Sequence, residues 1–106
     1  MSKFEGFEKD MLLATQVALL GEVGSNTRCI LIKNENKNII LHFIFTFPPS
    51  DDDLESISII ETEIDAALFT LNDLGGVSSI YEVSTDRIDW AKYTDFIPVF
   101  VKKEDN

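Results

Sequence analysis

The sequence predicts one α+β domain over residues 1–106, with a mostly antiparallel sheet of about four strands and one or two helices packed on it. Three observations support this class. A chain of 106 residues is long enough for one core. Hydrophobic residues make up 44% of it and eight are Phe, which argues against disorder despite the high charge. The hydrophobic period switches between helical and strand-like in the order α-β-β-α-β-β.

The first predicted helix covers residues 4–20, where apolar residues recur at helical spacing. Gly21 then stands where a glycine commonly ends a helix. The apolar stripe consists of Phe4, Phe7, Met11, Ala14 or Thr15, and Ala18, with Leu12, Leu19 and Leu20 widening it.

A β-hairpin is predicted from Arg28–Lys33 and Asn38–Phe47, because both stretches are rich in β-branched or aromatic residues. The Asn-rich segment between them suits a tight turn, since Asn tolerates left-handed backbone. The second strand has one face of Ile39, Leu41, Phe43, Phe45 and Phe47, and another of Ile40, His42, Ile44 and Thr46. Both faces are largely apolar, which indicates a strand covered on both sides, or one side open to a partner.

Pro48 and Pro49 end this strand, because neither can donate a hydrogen bond to a sheet. Ser50 is the predicted N-cap of a long amphipathic helix, about residues 51–73, and Asp53 completes a capping box in place of Glu. The apolar stripe of this helix is Leu54, Ile57, Ile60 or Glu61, Ile64, Ala67 or Leu68, and Leu71.

Two more strands are predicted over residues 77–84 and 96–101, after Gly75 and Gly76 stop the helix. Pro98 in the last strand favours an edge position or a bulge. The connection over residues 85–95 is polar, with aromatic residues interleaved.

The charge of the chain restricts the classes of molecule that the protein can bind. Nine basic and 19 acidic residues give a net charge of −10, and the pI is about 4.3. This charge disfavours nucleic acids and anionic membranes and favours basic proteins. The sequence has one Cys, no signal peptide and no apolar run long enough to span a membrane, so we expect a cytoplasmic protein. We also expect it to be a monomer or weak dimer.

The acidic run at the start of the second helix resembles the beginning of a calcium loop at Asp51, Asp52 and Asp53. Such a loop needs Gly at its sixth position and Glu at its twelfth, where this chain has Ser56 and Thr62. Carboxylates in a first turn instead complement the helix dipole. We therefore expect no metal site and no cofactor.

Cys29 and His42 lie on the two strands of the hairpin, the only arrangement that suggests nucleophilic catalysis. A register in which paired residue numbers sum to 71 would place them opposite each other, and one residue of slip would put them on opposite faces. No orienting carboxylate lies on either strand. We expect a buried thiol, a hydrogen-bonded histidine and no catalytic residue.

Acidic surfaces are better candidates for a functional site than the Cys29 and His42 pair. Asp86–Asp95 combines Asp86, Asp89 and Asp95 with Trp90 and Tyr93, aromatic residues of the kind that anchor protein interfaces. The alternative is that both aromatic rings fold back onto the end of the sheet.

On the long helix, Glu61 and Asp65 share a face and repel each other, with Glu63 between them. This face serves either solubility or a basic partner. Asp51, Asp52, Glu61 and Asp65 are thus second choices for partner contact, after the Asp86–Asp95 segment.

In size, acidity, element order and its acidic-aromatic Asp86–Asp95 segment, the chain resembles the immunity proteins of bacterial polymorphic toxins, nearest those of contact-dependent growth inhibition. The resemblance implies binding to a cognate basic toxin domain, often a nuclease, and blocking of its active site or substrate groove. It assigns no individual residue. The alternatives are an acidic adaptor, a chaperone, a phage-type inhibitor, a nucleic-acid mimic or a small enzyme.

Overall fold

The computed structural model describes residues 3–72 and 75–103, and the side chains of residues 8–68 and 75–103. Its elements are α1 (Lys3–Leu19), β1 (Thr27–Glu35), β2 (Asn38–Phe45), α2 (Asp51–Asn72), β3 (Gly76–Val83), a 3₁₀ turn (Trp90–Tyr93) and β4 (Ile97–Val101). The α+β class and the order α-β-β-α-β-β are confirmed, and the 3₁₀ turn lies in the predicted connection.

The four strands form one sheet in the order β3-β2-β1-β4. The β1 strand pairs antiparallel with both β2 and β4, whereas β2 and β3 are parallel. The parallel pair arises because α2 crosses over between β2 and β3 and returns the chain in the same direction.

The hairpin turn between β1 and β2 is built by Asn36 and Lys37, both with left-handed backbone at φ 54° and 65°. Two consecutive positive φ angles match the type I′ geometry that suits the twist of a two-residue hairpin. Asn34 Oδ1 accepts a hydrogen bond of 2.7 Å from the Lys37 backbone N–H. The Asn-rich composition therefore predicted this turn correctly.

Both helices contribute to one core on the same face of the sheet. Five residues of the predicted apolar faces are buried here: Phe43, Phe45, Ile57, Ile64 and Leu68. From α1, Met11, Thr15 and Ala18 are also buried, and the Thr15 hydroxyl donates to the Met11 carbonyl at 2.7 Å. The side chains of Phe4, Phe7 and Leu71 lie outside the described residues.

Three residues that the sequence places on the apolar faces lie on the surface instead, and one of them, Leu54 of α2, is 42% exposed. Leu20 follows the last residue of α1 and is 76% exposed. Phe47 is 66% exposed because β2 ends at Phe45. The Asn26 side chain, rather than a neighbouring strand, then holds the Phe47 backbone, at 2.8 Å to its N–H and 2.9 Å to its carbonyl.

The predicted capping box of α2 is present. The Asp53 backbone N–H donates to Ser50 Oγ at 3.1 Å, and the Ser50 N–H donates to Asp53 Oδ2 at 3.0 Å. Burial alone would raise the pKa of Asp53, but these Ser50 contacts and a 3.2 Å hydrogen bond from Asn26 hold that pKa below its ordinary value.

The β4 strand is an edge strand, and its pairing with β1 is irregular between Ile30 and Leu31. Pro98 lies opposite Leu31, next to this irregularity. Proline has no backbone N–H to donate to a neighbouring strand. At an edge and beside a bulge no such hydrogen bond is needed, which explains why the strand tolerates Pro98.

The face of the sheet that points away from the helices has its own small core of Cys29, Leu31 and Ile44. Ile88, Tyr93 and Phe96 cover it from the connection between β3 and β4. This outer face is therefore covered around Ile44, while Ile80 of β3 remains half-exposed.

Candidate functional site

Residues 84–96, which connect β3 to β4, form the candidate site and are called the acidic-aromatic loop below. Arg28 of β1 fixes the start of this loop to the sheet. Its side chain is only 5% exposed, and Nη1 donates to the carbonyls of Ser84 at 2.7 Å and Asp86 at 2.8 Å. Sequence reasoning missed this contact, because the acceptors are backbone atoms of a distant segment.

Tyr93 and Phe96 fix the other end of the loop through contacts with His42 on the outer face. Their rings meet the His42 ring edge-on, with centroids 5.1 and 5.6 Å apart. The Tyr93 hydroxyl donates a hydrogen bond to Glu82 of β3. Burial, the bond to Glu82 and the Glu82 charge raise the pKa of Tyr93 to about 12, so this hydroxyl stays a donor at neutral pH.

Between these two anchors, the 3₁₀ turn directs Trp90 away from the sheet. Asp89 caps the turn, its Oδ1 accepting a hydrogen bond of 3.1 Å from the Ala91 N–H. Trp90 remains 45% exposed, whereas Tyr93, at the other end of the turn, is half-buried. The turn thus gives the two aromatic residues different surroundings, with Tyr93 on the sheet and Trp90 in solvent.

Three carboxylates of the acidic-aromatic loop lie on the protein surface. Asp86, Asp89 and Asp95 are exposed. Asp86 and Asp89 also line, with Glu82, a small cavity of about 80 Å³ that Arg87 and Lys92 border as well. An exposed aromatic ring and exposed carboxylates on the same loop are groups that can contact cationic side chains of a partner.

The second-choice acidic residues do not join this surface. Asp51, Asp52 and Asp65 are exposed and Glu61 is half-buried, all on α2. Because α2 packs on the opposite face of the sheet from the acidic-aromatic loop, the two groups of carboxylates belong to different sides of the molecule.

Cys29 and His42 share the outer face, but neither register considered from the sequence occurs. Cys29 pairs with Ile44 and His42 with Leu31, so the two residues are diagonal neighbours. The expected hydrogen bond of His42 is not formed at Nε2. Glu82 Oε1, from a carboxylate that the sequence did not indicate, lies 3.1 Å from this nitrogen, an ion-pair distance that is not aligned as a hydrogen bond. The Cys29 thiol is fully buried, out of reach of a substrate.

Across residues 3–72 and 75–103, the His, Cys, Asp and Glu side chains form no group of three or more that could hold a metal ion. In that same part of the chain, no helix combines the length and apolar character needed to cross a membrane.

Binding residues often lie on loops that a rigid scaffold positions, and Trp and Tyr are common anchors of protein interfaces, so the loop is a candidate surface for binding another protein. A family model described as MafI2 immunity protein matches residues 8–104, so the chain belongs to the MafI2 immunity protein family. No curated protein matches the chain. The family confirms the resemblance to polymorphic-toxin immunity proteins, and its function is to neutralise a cognate toxin.

Proposed function

We propose that the protein neutralises its toxin by binding the toxin's catalytic domain through the acidic-aromatic loop and blocking its active site or substrate groove. The partner is a basic domain, and we propose a nuclease. The main support is that the exposed Trp90 and the exposed Asp86, Asp89 and Asp95 all belong to one loop that the sheet itself anchors.

The anchoring favours a binding role for the loop. Arg28 holds its beginning and the His42–Tyr93–Phe96 contacts hold its end, so Trp90 occupies a defined position before a partner arrives. Association then loses less conformational entropy than it would with a mobile loop. A large aromatic side chain that is exposed on a pre-ordered loop is a suitable anchor for an interface.

The charge supports a nuclease as the partner. An enzyme that acts on nucleic acid needs a positive groove to bind phosphates. A protein of net charge −10 with exposed carboxylates on the same loop as its anchor is complementary to such a groove. Occupying the groove would stop the enzyme without any chemistry from the inhibitor, and we assign no catalytic residue. Within this proposal, the system is of the contact-dependent growth inhibition type and the inhibitor acts in the cytoplasm.

Trp90→Ala tests the anchor. We expect this variant chiefly to accelerate dissociation from the toxin domain, because it removes a desolvated contact made only in the complex. Surface plasmon resonance with the cognate toxin domain measures both rates. Phe47→Ala is the matched control, since Phe47 is an exposed aromatic residue outside the loop. Equal dissociation rates for the Trp90 variant and the wild type would contradict the proposal.

Asp89→Asn tests the charge. Asn can still cap the 3₁₀ turn, so the variant removes the charge while keeping the loop conformation. We expect slower association with little change in dissociation. Glu55→Gln removes one negative charge from exposed α2 surface and should have a smaller effect. If Asp89→Asn and Glu55→Gln slow association equally, the loop has no special role in the electrostatic steering of the toxin domain.

A further inference from the structure

A second surface, on the opposite side of the molecule, has no role in the proposed function. An apolar groove of about 480 Å³ runs between α1 and α2, and it is called the helix groove below. Leu13 and Val17 of α1 line it together with Ala67 and Leu68 of α2. The acidic-aromatic loop covers the other face of the sheet, so the two surfaces are separated by the sheet.

The α1 side of the groove is more apolar than folding requires. Leu13 is 62% exposed and Val17 57% exposed, and they lie four residues apart on one face of the helix. The residues that α1 buries, such as Met11 and Thr15, lie on a different face. Exposed apolar stripes of this kind, away from the core, are typical of interaction sites.

The charge distribution along α1 makes the stripe more unusual. No charged residue occurs between Asp10 and Glu22, although the chain as a whole has a net charge of −10. A helix face with no need to bind would be expected to carry part of that charge, since polar residues there favour solubility.

Acidic residues border this apolar surface. Asp10 of α1 and Glu63 of α2 line the groove, and every charged residue of α2 is acidic. A ligand that fits must therefore be apolar where it meets Leu13 and Val17 and positively charged at its flanks.

We propose that the helix groove binds an amphipathic α-helix of another protein, apolar on one face and rich in Lys or Arg along its flanks. Such a helix can fill a groove between two helices by ordinary helix packing, with axes about 8–10 Å apart. Its basic flanks meet Asp10 and Glu63. A second copy of this chain is a poor occupant, because it would bring two like-charged surfaces together, and an anionic membrane is disfavoured for the same reason.

This inference goes beyond toxin blocking and is tested without the toxin. The probe is a fluorescent synthetic peptide of about 18 residues with Leu on one helical face and Lys elsewhere, titrated with the full-length chain by anisotropy. A peptide of the same composition in permuted order, and a Leu/Glu peptide of the original pattern, are the reference probes. We expect binding of the amphipathic Leu/Lys peptide, at least ~10-fold weaker binding of the permuted peptide, and none of the Leu/Glu peptide.

Variants then locate the bound peptide. Leu13→Gln combined with Val17→Gln should weaken binding at least ~10-fold, since it replaces two apolar contacts and keeps good helix formers. Leu54→Gln is the matched control, because Leu54 is a half-exposed leucine of α2 that does not line the groove. Glu63→Gln should weaken binding more than Glu55→Gln. An unchanged affinity in the Leu13/Val17 variant would overturn the proposal.

Three further results would also overturn it. They are loss of peptide binding in Trp90→Ala, a wild-type dimer that the Leu13/Val17 variant converts to a monomer, and binding of the wild type to vesicles of anionic lipid. Toxin neutralisation is measured separately, so failure of this proposal leaves the proposed function of the acidic-aromatic loop untouched.

Discussion

Replacing Arg28 by Met should lower the stability of the fold and release the acidic-aromatic loop. The Arg28 guanidinium is buried and donates to the carbonyls of Ser84 and Asp86 at 2.7 and 2.8 Å. Hydrogen bonds from a charged donor contribute about 1.5–3 kcal/mol each. Asp86 is exposed, and water can reach the freed carbonyls once the loop opens. We therefore expect the free energy of unfolding to fall by about 2–4 kcal/mol rather than by the sum of both hydrogen bonds.

Urea denaturation measures this loss as a lower midpoint at unchanged slope, and amide hydrogen exchange shows where the protection is lost. Exchange should accelerate more in residues 84–92 than in β2. Arg87→Met is the matched control, since Arg87 is the exposed arginine of the same loop, and it should change stability by no more than about 0.5 kcal/mol. A loss below about 1 kcal/mol for Arg28→Met would refute the anchoring role.

Three further predictions concern the core, the cap of α2 and the buried thiol. Phe45→Ala or Leu68→Ala should cost about 2–5 kcal/mol in urea denaturation, because both side chains are fully buried, whereas Leu20→Ala should cost far less. Asp53→Asn should lower the free energy of unfolding at neutral pH. The folded-state pKa of Asp53 lies below its unfolded value of about 4, so the stabilisation is complete above that pH and disappears as the pH falls through the folded pKa. The stabilities of the variant and the wild type, measured by urea denaturation, should therefore converge in acid, and a constant difference at all pH values would contradict this. Cys29→Ser should retain toxin neutralisation in a growth-protection assay wherever it folds, and loss of protection at wild-type stability and affinity would indicate a chemical role.

Local chemistry explains why much of the fold could be predicted from the sequence. The capping box of Ser50 and Asp53, the hairpin turn at Asn36 and the edge position of Pro98 each depend on residues close together in the chain. The periodicity of α2 likewise identified the face that packs on the sheet.

The contacts that shape the candidate site could not be predicted in this way, because they join distant segments. Arg28 binds backbone atoms 56 and 58 residues further along the chain, which no side-chain motif marks. The approach of Glu82 to His42 requires the parallel register of β3 against β2.

The exposed stripe of α1 was missed for a different reason. Apolar residues occur around most of that helix, so its periodicity alone does not show which of them, such as Leu13 or Met11, will be buried.

The proposed function requires that this MafI2 immunity protein bind a basic toxin domain through electrostatic steering to an acidic surface. The most direct test is the rate of association with the cognate toxin domain, measured by stopped-flow fluorescence over a series of salt concentrations. We expect an association rate well above ~10⁵–10⁶ M⁻¹s⁻¹ at low salt, and we expect it to fall steeply as salt screens the charges. A rate that does not change with salt, or a cognate toxin domain that is itself acidic, would contradict it.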